Sequence, residues 1–336
     1  MDNELRDIRD AARRALAGAF TLEDLKASDT VPADLVLKLW QVAIDAGWTG
    51  LLVPEEAGGL GLGMVAAVVV AEELGEALAP GAWAETLALA PCLDLGSDAL
   101  AALAEGAMRI SLCSARGMSA GAESQGLVAH ARSATHILAL KGRRADAGAF
   151  ILLAADEAQV LQDHQPLDPG TPVSTVGFTL PATEVAPEWR GKACEAFRLF
   201  VAAELIGVAR GALSRSLDHA RTRTQFGAPI GSFQAIKHRL ADVAVALDSA
   251  ALAVSFAARS WDQQAESATI DILAAWELAA AAANTATAAG IQIHGAIGVS
   301  WEHDLHLYLK RSHALQAPLR SHSSRSELIE RLIETR

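Results

Sequence analysis

Apolar residues recur at helical spacing through DLVLKLWQVAIDAG, at Leu35, Leu37, Leu39, Trp40 and Ala43, and again through MVAAVVVAEELGEAL until Pro80 stops the pattern. Residues 1–108 therefore form a helical domain. From Ile110 to about Pro187 the texture changes to short apolar runs, GLVAHA, THILAL and AFILLAA, set apart by Gly, Asp, Pro and Ser at strand-like intervals. Residues 109–188 read as a small β domain. Helical periodicity returns after EVAPEWRGKACEA and persists, broken mainly at 227–231 and 295–300. In the helix after Ser232, the residues Phe233, Ile236, Leu240, Val243, Leu247, Ala250 and Val254 keep a three-four spacing that holds one apolar seam toward a partner helix. The Ala-rich stretch 274–289 lets helix backbones approach closely, so residues 189–336 read as a helix bundle. The fold class expected is mainly α with a small central β domain.

Composition narrows the function. With 336 residues, 51% of them hydrophobic, the chain can bury a large core. A formal charge of -12 and the lack of a Lys/Arg tract set a repulsive field before phosphate backbones, which argues against nucleic acid as a partner. Cys92, Cys113 and Cys194 are far apart and lack CxxC spacing, which suits reduced, buried thiols in a cytoplasmic protein. The opening MDNELRDIRDAARRALAGAF mixes acids and bases where an export signal has a basic start and an apolar run. The longest apolar stretch, Met64–Ala71, is closed by Glu72 and Glu73 and falls short of the roughly 20 residues that cross a bilayer, so a buried helix and no membrane partner are expected.

The segment RTRTQFGAPIG carries the most chemistry. A plain helix connection accounts for its Gly227, as a left-handed helix terminus, for Pro229 as a stop and for Ser232 as a cap. It leaves Arg221, Arg223 and Phe226 unexplained beyond complementing the helix dipole. A guanidinium beside an aromatic ring also suits a pyrophosphate next to a flat heterocycle, and both readings stay open on composition. Gly61-x-Gly63-x-x-Ala66 matches a dinucleotide fingerprint formally, but it sits in a helical region without a βαβ unit and reads as a turn into a helix. His294, His303, His306 and His313 gather near the C-terminus, His303 and His306 one helical turn apart, without a third ligand at metal spacing, so no metal is expected. Gly295 and Gly298 suit a tight turn whose amides can meet a ligand oxygen. Glu204, mid-helix among apolar residues, either pairs with a base on a neighbouring helix or serves as a catalytic acid/base tuned by burial.

ARTRTQFGAPIGSFQAIKHRLADV resembles the signature of acyl-CoA dehydrogenases, and GWTGLLVPEEAGGLGLG and IQIHGAIG are similar to two further stretches of that family, in the same order. The resemblance spans nearly the whole chain. It implies an N-terminal helical domain, a middle β domain and a C-terminal four-helix bundle, with FAD at a subunit interface. By resemblance, Arg223 grips the flavin pyrophosphate, Gln225 and Phe226 line the same end, and Gln292 and Gly295 contact the nucleotide, all on a neighbouring subunit's FAD.

Two family features are missing. The segment that holds a subunit's own flavin is replaced by CSARGMSAGAESQG, and where the family carries its catalytic Glu after the QIHG turn this chain continues LKRSHALQAPLRSHSSRSELIERL, with no acid in that stretch until Glu327. Where some relatives place the base, this chain has Phe197, and Glu204 follows seven residues later, about 10 Å deeper along the axis. Removal of a thioester α-proton as hydride leaves the β-carbon needs a carboxylate poised in a dry site. The resemblance is therefore to the shorter, non-catalytic subunit of heteromeric, steroid-CoA-type enzymes. It implies a full-length homologous partner in an α2β2 assembly, an acyl-CoA substrate and an electron-transfer flavoprotein as acceptor. The alternatives are a self-sufficient homo-oligomer with Glu204 as base, or a helical scaffold without flavin chemistry.

Overall fold

A computed structural model of the chain describes residues 3–115, 123–141, 149–179 and 190–319, together with 328, 329 and 333. The chain divides into two compact units: one runs up to Val70 and resumes over Ala79–Phe200, and the other comprises Ala71–Leu78 and the chain from Val201 on.

The first unit holds α1 (Asn3–Ala19), α2 (Leu22–Lys26), α3 (Ala33–Asp45), the start of α4 (Met64–Ala77) and α5 (Ser97–Ala104). The seam of α3 is Val36, Leu39, Trp40 and Ala43, whereas Leu37 points to solvent. Trp40 stacks on Trp83 with ring centroids 5.6 Å apart and donates its indole N–H to the Gly106 carbonyl at 2.8 Å, so the large ring is buried with its polar atom satisfied. Gly61 and Gly63 take φ of 56° and 83° directly before α4, so GLGLG is indeed a turn into a helix. Residues Glu85–Leu89 wind into a π-helical turn. The Thr86 hydroxyl in that turn accepts the Ile110 N–H at 2.9 Å and donates to the Ile110 carbonyl at 3.2 Å, tying the turn to the first strand.

That strand, β1 (Ile110–Ala115), joins β2 (Glu123–Ala129), β3 (His136–Lys141), β4 (Ala149–Ala154), β5 (Ala158–His164) and β6 (Val173–Thr179) in one sheet of order β4-β3-β1-β2-β6-β5. Only the β1–β3 pairing is parallel. Its core is made by Cys113, Val128, Ile137, Ile151, Leu153, Val176 and Phe178. Burial alternates strictly along β6, as a sheet with one covered face requires.

The second unit contains the rest of α4, most of α6 (Arg190–Thr222), and α7 (Gln234–Asp262), α8 (Ala268–His294), α9 (Ala296–Val299) and α10 (Leu305–Gln316). The expected fold class, mainly helical with a β-sheet region, is the one observed. On α8, Ala275, Ala279, Ala282, Ala283 and Ala286 are buried, so the Ala-rich stretch does serve close packing. α4 and α6 approach even more closely. A Cβ on Gly75 would lie 2.0 Å from the Glu204 carbonyl, and one on Gly207 would lie 2.0 Å from the Glu72 carbonyl. Beside this contact Arg210 reaches Glu72 at 2.8 Å, Glu76 at 3.5 Å and Glu73 at 3.8 Å. Burial opposes the Arg210 charge, but the three carboxylates outweigh it and the net effect raises its pKa.

Several expectations are corrected. α6 starts at Arg190 rather than near Phe197, and α7 is a further strongly apolar helix besides the Met64 stretch. By length and composition alone α7 could cross a membrane; it is apolar because it has two greasy faces, one buried through Leu240, Val243, Leu247, Ala250 and Val254 and one exposed through Val245, Leu252 and Phe256. Phe233, the expected first member of its buried seam, is exposed. Cys113 is buried, but Cys92 and Cys194 are only half-buried. Burial pushes the Cys113 thiol up to about 12 and, as the largest influence, the Cys92 thiol up to about 11, which leaves both protonated and unreactive at neutral pH.

Replacing Arg210 with Leu removes the cation that three carboxylates share, two of them buried, and is expected to destabilise the protein by about 3 kcal/mol, read from urea unfolding midpoints.

Candidate functional site

The connection after α6 is not the helix terminus that the sequence suggested. α6 ends at Thr222, and β7 (Thr224–Gln225) pairs antiparallel with β8 (Ala228–Pro229) to form a miniature hairpin. Its two-residue tip is Phe226 and Gly227, with φ of 52° and 79°. Two successive positive φ values are the mark of a type I′ turn, whose twist matches that of paired strands. Gly227 is therefore a hairpin residue and not the end of the helix. Ser232 does not cap α7 either: its hydroxyl donates to the Pro229 carbonyl at 2.7 Å, and Phe233 occupies the cap position without a side-chain bond.

The hairpin puts its side chains in solvent. Arg223, Thr224, Gln225 and Phe226 are all exposed, Phe226 at 94%, with only an edge contact to Phe233 at 6.2 Å. Arg221 is also exposed and pairs with Asp218 at 3.3 Å. The C-terminal end of α8 lies alongside. His219, one turn before Arg223, stacks on His294 with ring centroids 4.1 Å apart, which brings Arg223 to the same end of the unit as Gln292 and Gly295. Gln292 and Gly295 are exposed, and Gly295 closes α8 with φ 66° and open space where a Cβ would stand. An apolar cleft of about 570 Å3 adjoins the hairpin, lined by Leu217, Ala220, Pro229 and Leu240 with the cations Arg221 and Lys237.

Arg223, Gln225, Phe226, Gln292 and Gly295 thus lie exposed at one end of the second unit, and Glu204 is not among them. It lies 4% exposed in the middle of α6, about 28 Å along the axis from Arg223. His303 and His306 do not share a helical turn, because α10 begins only at Leu305. His303 packs on His294 at 4.4 Å and His306 on Trp301 at 4.9 Å. Among the described residues no group of three or more His, Cys, Asp or Glu is placed to hold a metal ion. Of the segment expected to replace the own-flavin motif, residues 116–122 lie outside the described residues, as does Glu327.

The sequence reading passed over Glu85 and His219. Glu85 sits half-buried in the π-helical turn of the first unit, and burial raises its carboxyl to about 7, partly offset by a hydrogen bond with its own backbone. No periodic signal marks a single π turn, although such turns recur at functional sites. His219 is signalled only by its place four residues before Arg223.

Family models for the acyl-CoA dehydrogenase N-terminal domain and C-terminal domain match residues 2–103 and 191–318. The chain belongs to the acyl-CoA dehydrogenase family. It is 33% identical over 288 residues to acyl-CoA dehydrogenase IpdE2 of Mycobacterium tuberculosis, covering 82% of this chain and 80% of that one. The corresponding protein of Mycolicibacterium smegmatis is 34% identical over 283 residues, covering 82% and 81%. Among solved structures, the ChsE4-ChsE5 complex from Mycobacterium tuberculosis aligns with a TM-score of 0.81 at 23% identity, over 100% of this chain and 99% of that one. A variant of the Tcur3481-Tcur3483 steroid enzyme aligns at 0.82 and 24%, over 99% and 97%. These two structures share the fold with this chain.

Members of this family are FAD flavoproteins. The exposed end of the second unit fits one part of that cofactor: a guanidinium for a diphosphate, a ring and an apolar cleft for a flat heterocycle, and an open glycine turn for close backbone approach.

Glu85 generates a stability test. Its carboxyl holds a proton in the folded state up to about pH 7 but releases it near 4.5 when unfolded, so the folded state binds more protons in between and stability falls as pH rises through that window. Glu85→Gln is expected to flatten the fall, recovering up to about 3 kcal/mol at pH 8, as measured by thermal unfolding of both proteins from pH 5 to 8.

Proposed function

We propose that this chain is the cofactor-contacting, non-catalytic subunit of a hetero-oligomeric FAD-dependent acyl-CoA dehydrogenase. The observation that carries this reading is Phe226: a bulky residue held at positive φ on a hairpin tip and 94% exposed contributes little to its own fold. Such a residue has a reason to exist when another molecule covers it. Arg223 and Gln225 beside it, with Gln292 and Gly295 across from it, would meet the diphosphate and nucleotide end of an FAD whose flavin ring lies in a homologous partner chain.

The chain's own equipment supports the division of labour. The family's own-flavin segment and its base are absent from the matching positions of the sequence. The bound flavin would supply the hydride acceptor, and the partner's carboxylate would take the α-proton of the acyl-CoA thioester. This chain's part is to clamp and orient: a bidentate guanidinium on the diphosphate, an aromatic face beside it and backbone amides at an open turn. The exposed face of α7, with Val245, Leu252 and Phe256, offers an apolar surface for subunit contact. An α2β2 assembly in the cytoplasm, with an electron-transfer flavoprotein as acceptor, completes the reading.

The substrate class is proposed from the relatives: a bulky acyl-CoA such as a steroid side-chain ester. One solved structure similar in fold is a steroid ACAD, Tcur3481-Tcur3483, and another is the ChsE4-ChsE5 complex.

Two measurements test this. In the complex co-purified with its partner, Arg223→Ala is expected to lower flavin per complex at least severalfold, by absorbance at flavin wavelengths against protein; unchanged flavin content would refute the assignment. Phe226→Asn suits the turn better and is expected to raise the stability of the isolated chain by about 1 kcal/mol while weakening flavin retention in the complex. A chain expressed alone that is yellow and bleached by substrate would instead support a self-sufficient enzyme.

A further inference from the structure

Arg223 stands at an awkward place for binding an anion. It follows the last turn of α6, its amide bonded to the His219 carbonyl at 2.8 Å, where the helix dipole presents its negative end. A diphosphate brought there by one guanidinium also meets the unpaired carbonyls of a 33-residue helix. Arg221 is paired with Asp218, so a second positive charge on the same face would help offset that field, and position 219, one turn back, offers a place for it.

His219 occupies that position within a stack of three imidazoles. Its ring lies 4.1 Å from His294, and His294 lies 4.4 Å from His303. Of the two other rings, His294 is held below the ordinary imidazole pKa by burial, which outweighs its bond to the Gly290 carbonyl, and His303 has one ring nitrogen committed to the backbone. His294 must donate from Nδ1 to the Gly290 carbonyl at 2.8 Å, and its Nε2, without a hydrogen-bond partner in a ring only 7% exposed, has nothing to receive a second charge. His303 accepts the Leu305 N–H at Nδ1, at 3.1 Å, and a proton there would break that bond. His219 is half-buried, and it is the ring of the three left able to take up a proton. Without an anion, burial first, then His294, His303 and Arg223, hold its pKa below the ordinary imidazole value.

The charges facing this stack come from several elements. On α6 these are Asp218, which pairs with Arg221, and Arg215, which lies 3.7 Å from Asp304. The segment after α9 adds Glu302 and Asp304. α7 offers Lys237 in the neighbouring cleft, and α10 has His306 and Lys310, both engaged on Trp301. The acids among them leave Arg223 and a protonated His219 as the cationic pair at the exposed end.

We propose that His219 is a further anion-binding residue of this site, neutral in the empty protein and protonated when a dinucleotide diphosphate settles on Arg223, with His294 and His303 stacked behind it as the rings that position it. This rests on the cofactor-contacting role proposed above. Binding then takes up a proton, so flavin affinity strengthens as pH falls.

The test is FAD binding to the flavin-stripped complex, followed by quenching of FAD fluorescence at pH 6, 7 and 8, for wild type, His219→Gln and Arg223→Gln. The wild-type Kd is expected to fall by about three- to fivefold from pH 8 to pH 6, and His219→Gln is expected to flatten that slope. An unchanged slope in His219→Gln, with Arg223→Gln still weakening binding, overturns the role of His219 and leaves the cofactor-contacting reading standing. Unchanged affinity in Arg223→Gln overturns both. Should His219→Gln fail to assemble, the His219 Cε1–H resonance of the wild-type complex decides: its titration midpoint is expected to move up by about one pH unit when FAD is added, and a midpoint that does not move refutes the proposal.

Discussion

The close crossing of α4 and α6 is the constraint from which the rest of the second unit follows. Two glycines, Gly75 and Gly207, let each helix set its backbone against the other's carbonyls, at a separation where a single methyl group would collide. Such an approach leaves no room for water, so the charges nearby must answer one another. Arg210 does this for Glu72, Glu73 and Glu76, just beyond the crossing. Tyr308 of α10 closes over the next turn, its hydroxyl donating to the Glu76 carbonyl at 2.9 Å and its ring lying against Gly211. The stretch of α6 from Glu204 to Gly211 is thereby fixed within the second unit, ahead of the hairpin at its end.

Much of this was legible in the sequence, in proportion to how local its cause is. Helical spacing in α3 and the seam of α7 came directly from the order of apolar residues, as did the strands β2, β3 and β4. The hairpin was missed because its tip is Phe-Gly, not the Asn-Gly or Asp-Gly that usually announces a type I′ turn, and because Gly followed by Pro imitates a helix stop. The apolarity of α7 misled in a different way: spacing identifies one buried seam, but it says nothing about whether Val245, Leu252 and Phe256 find cover.

The candidate site divides along the same line. Arg223, Gln225, Phe226, Gln292 and Gly295 stood out through motifs, each a run of neighbouring residues. Arg210 finds its carboxylates more than a hundred residues upstream, and His219 finds His294 and His303 in the segment after α7. Pairings of that range depend on the completed bundle. The π-helical turn at Glu85 adds one residue to a helix without altering its composition, so only the backbone discloses it.

The hairpin tip also separates two kinds of selection. A chain judged by its own folding alone would drift toward Asn or Gly at position 226, since either relaxes the backbone at no loss of buried surface. The cost of keeping Phe there falls on the chain that carries it, while any advantage accrues to the assembly. Engineering that optimises this polypeptide in isolation would therefore erode the contact proposed for a companion chain, and would record the change as an improvement.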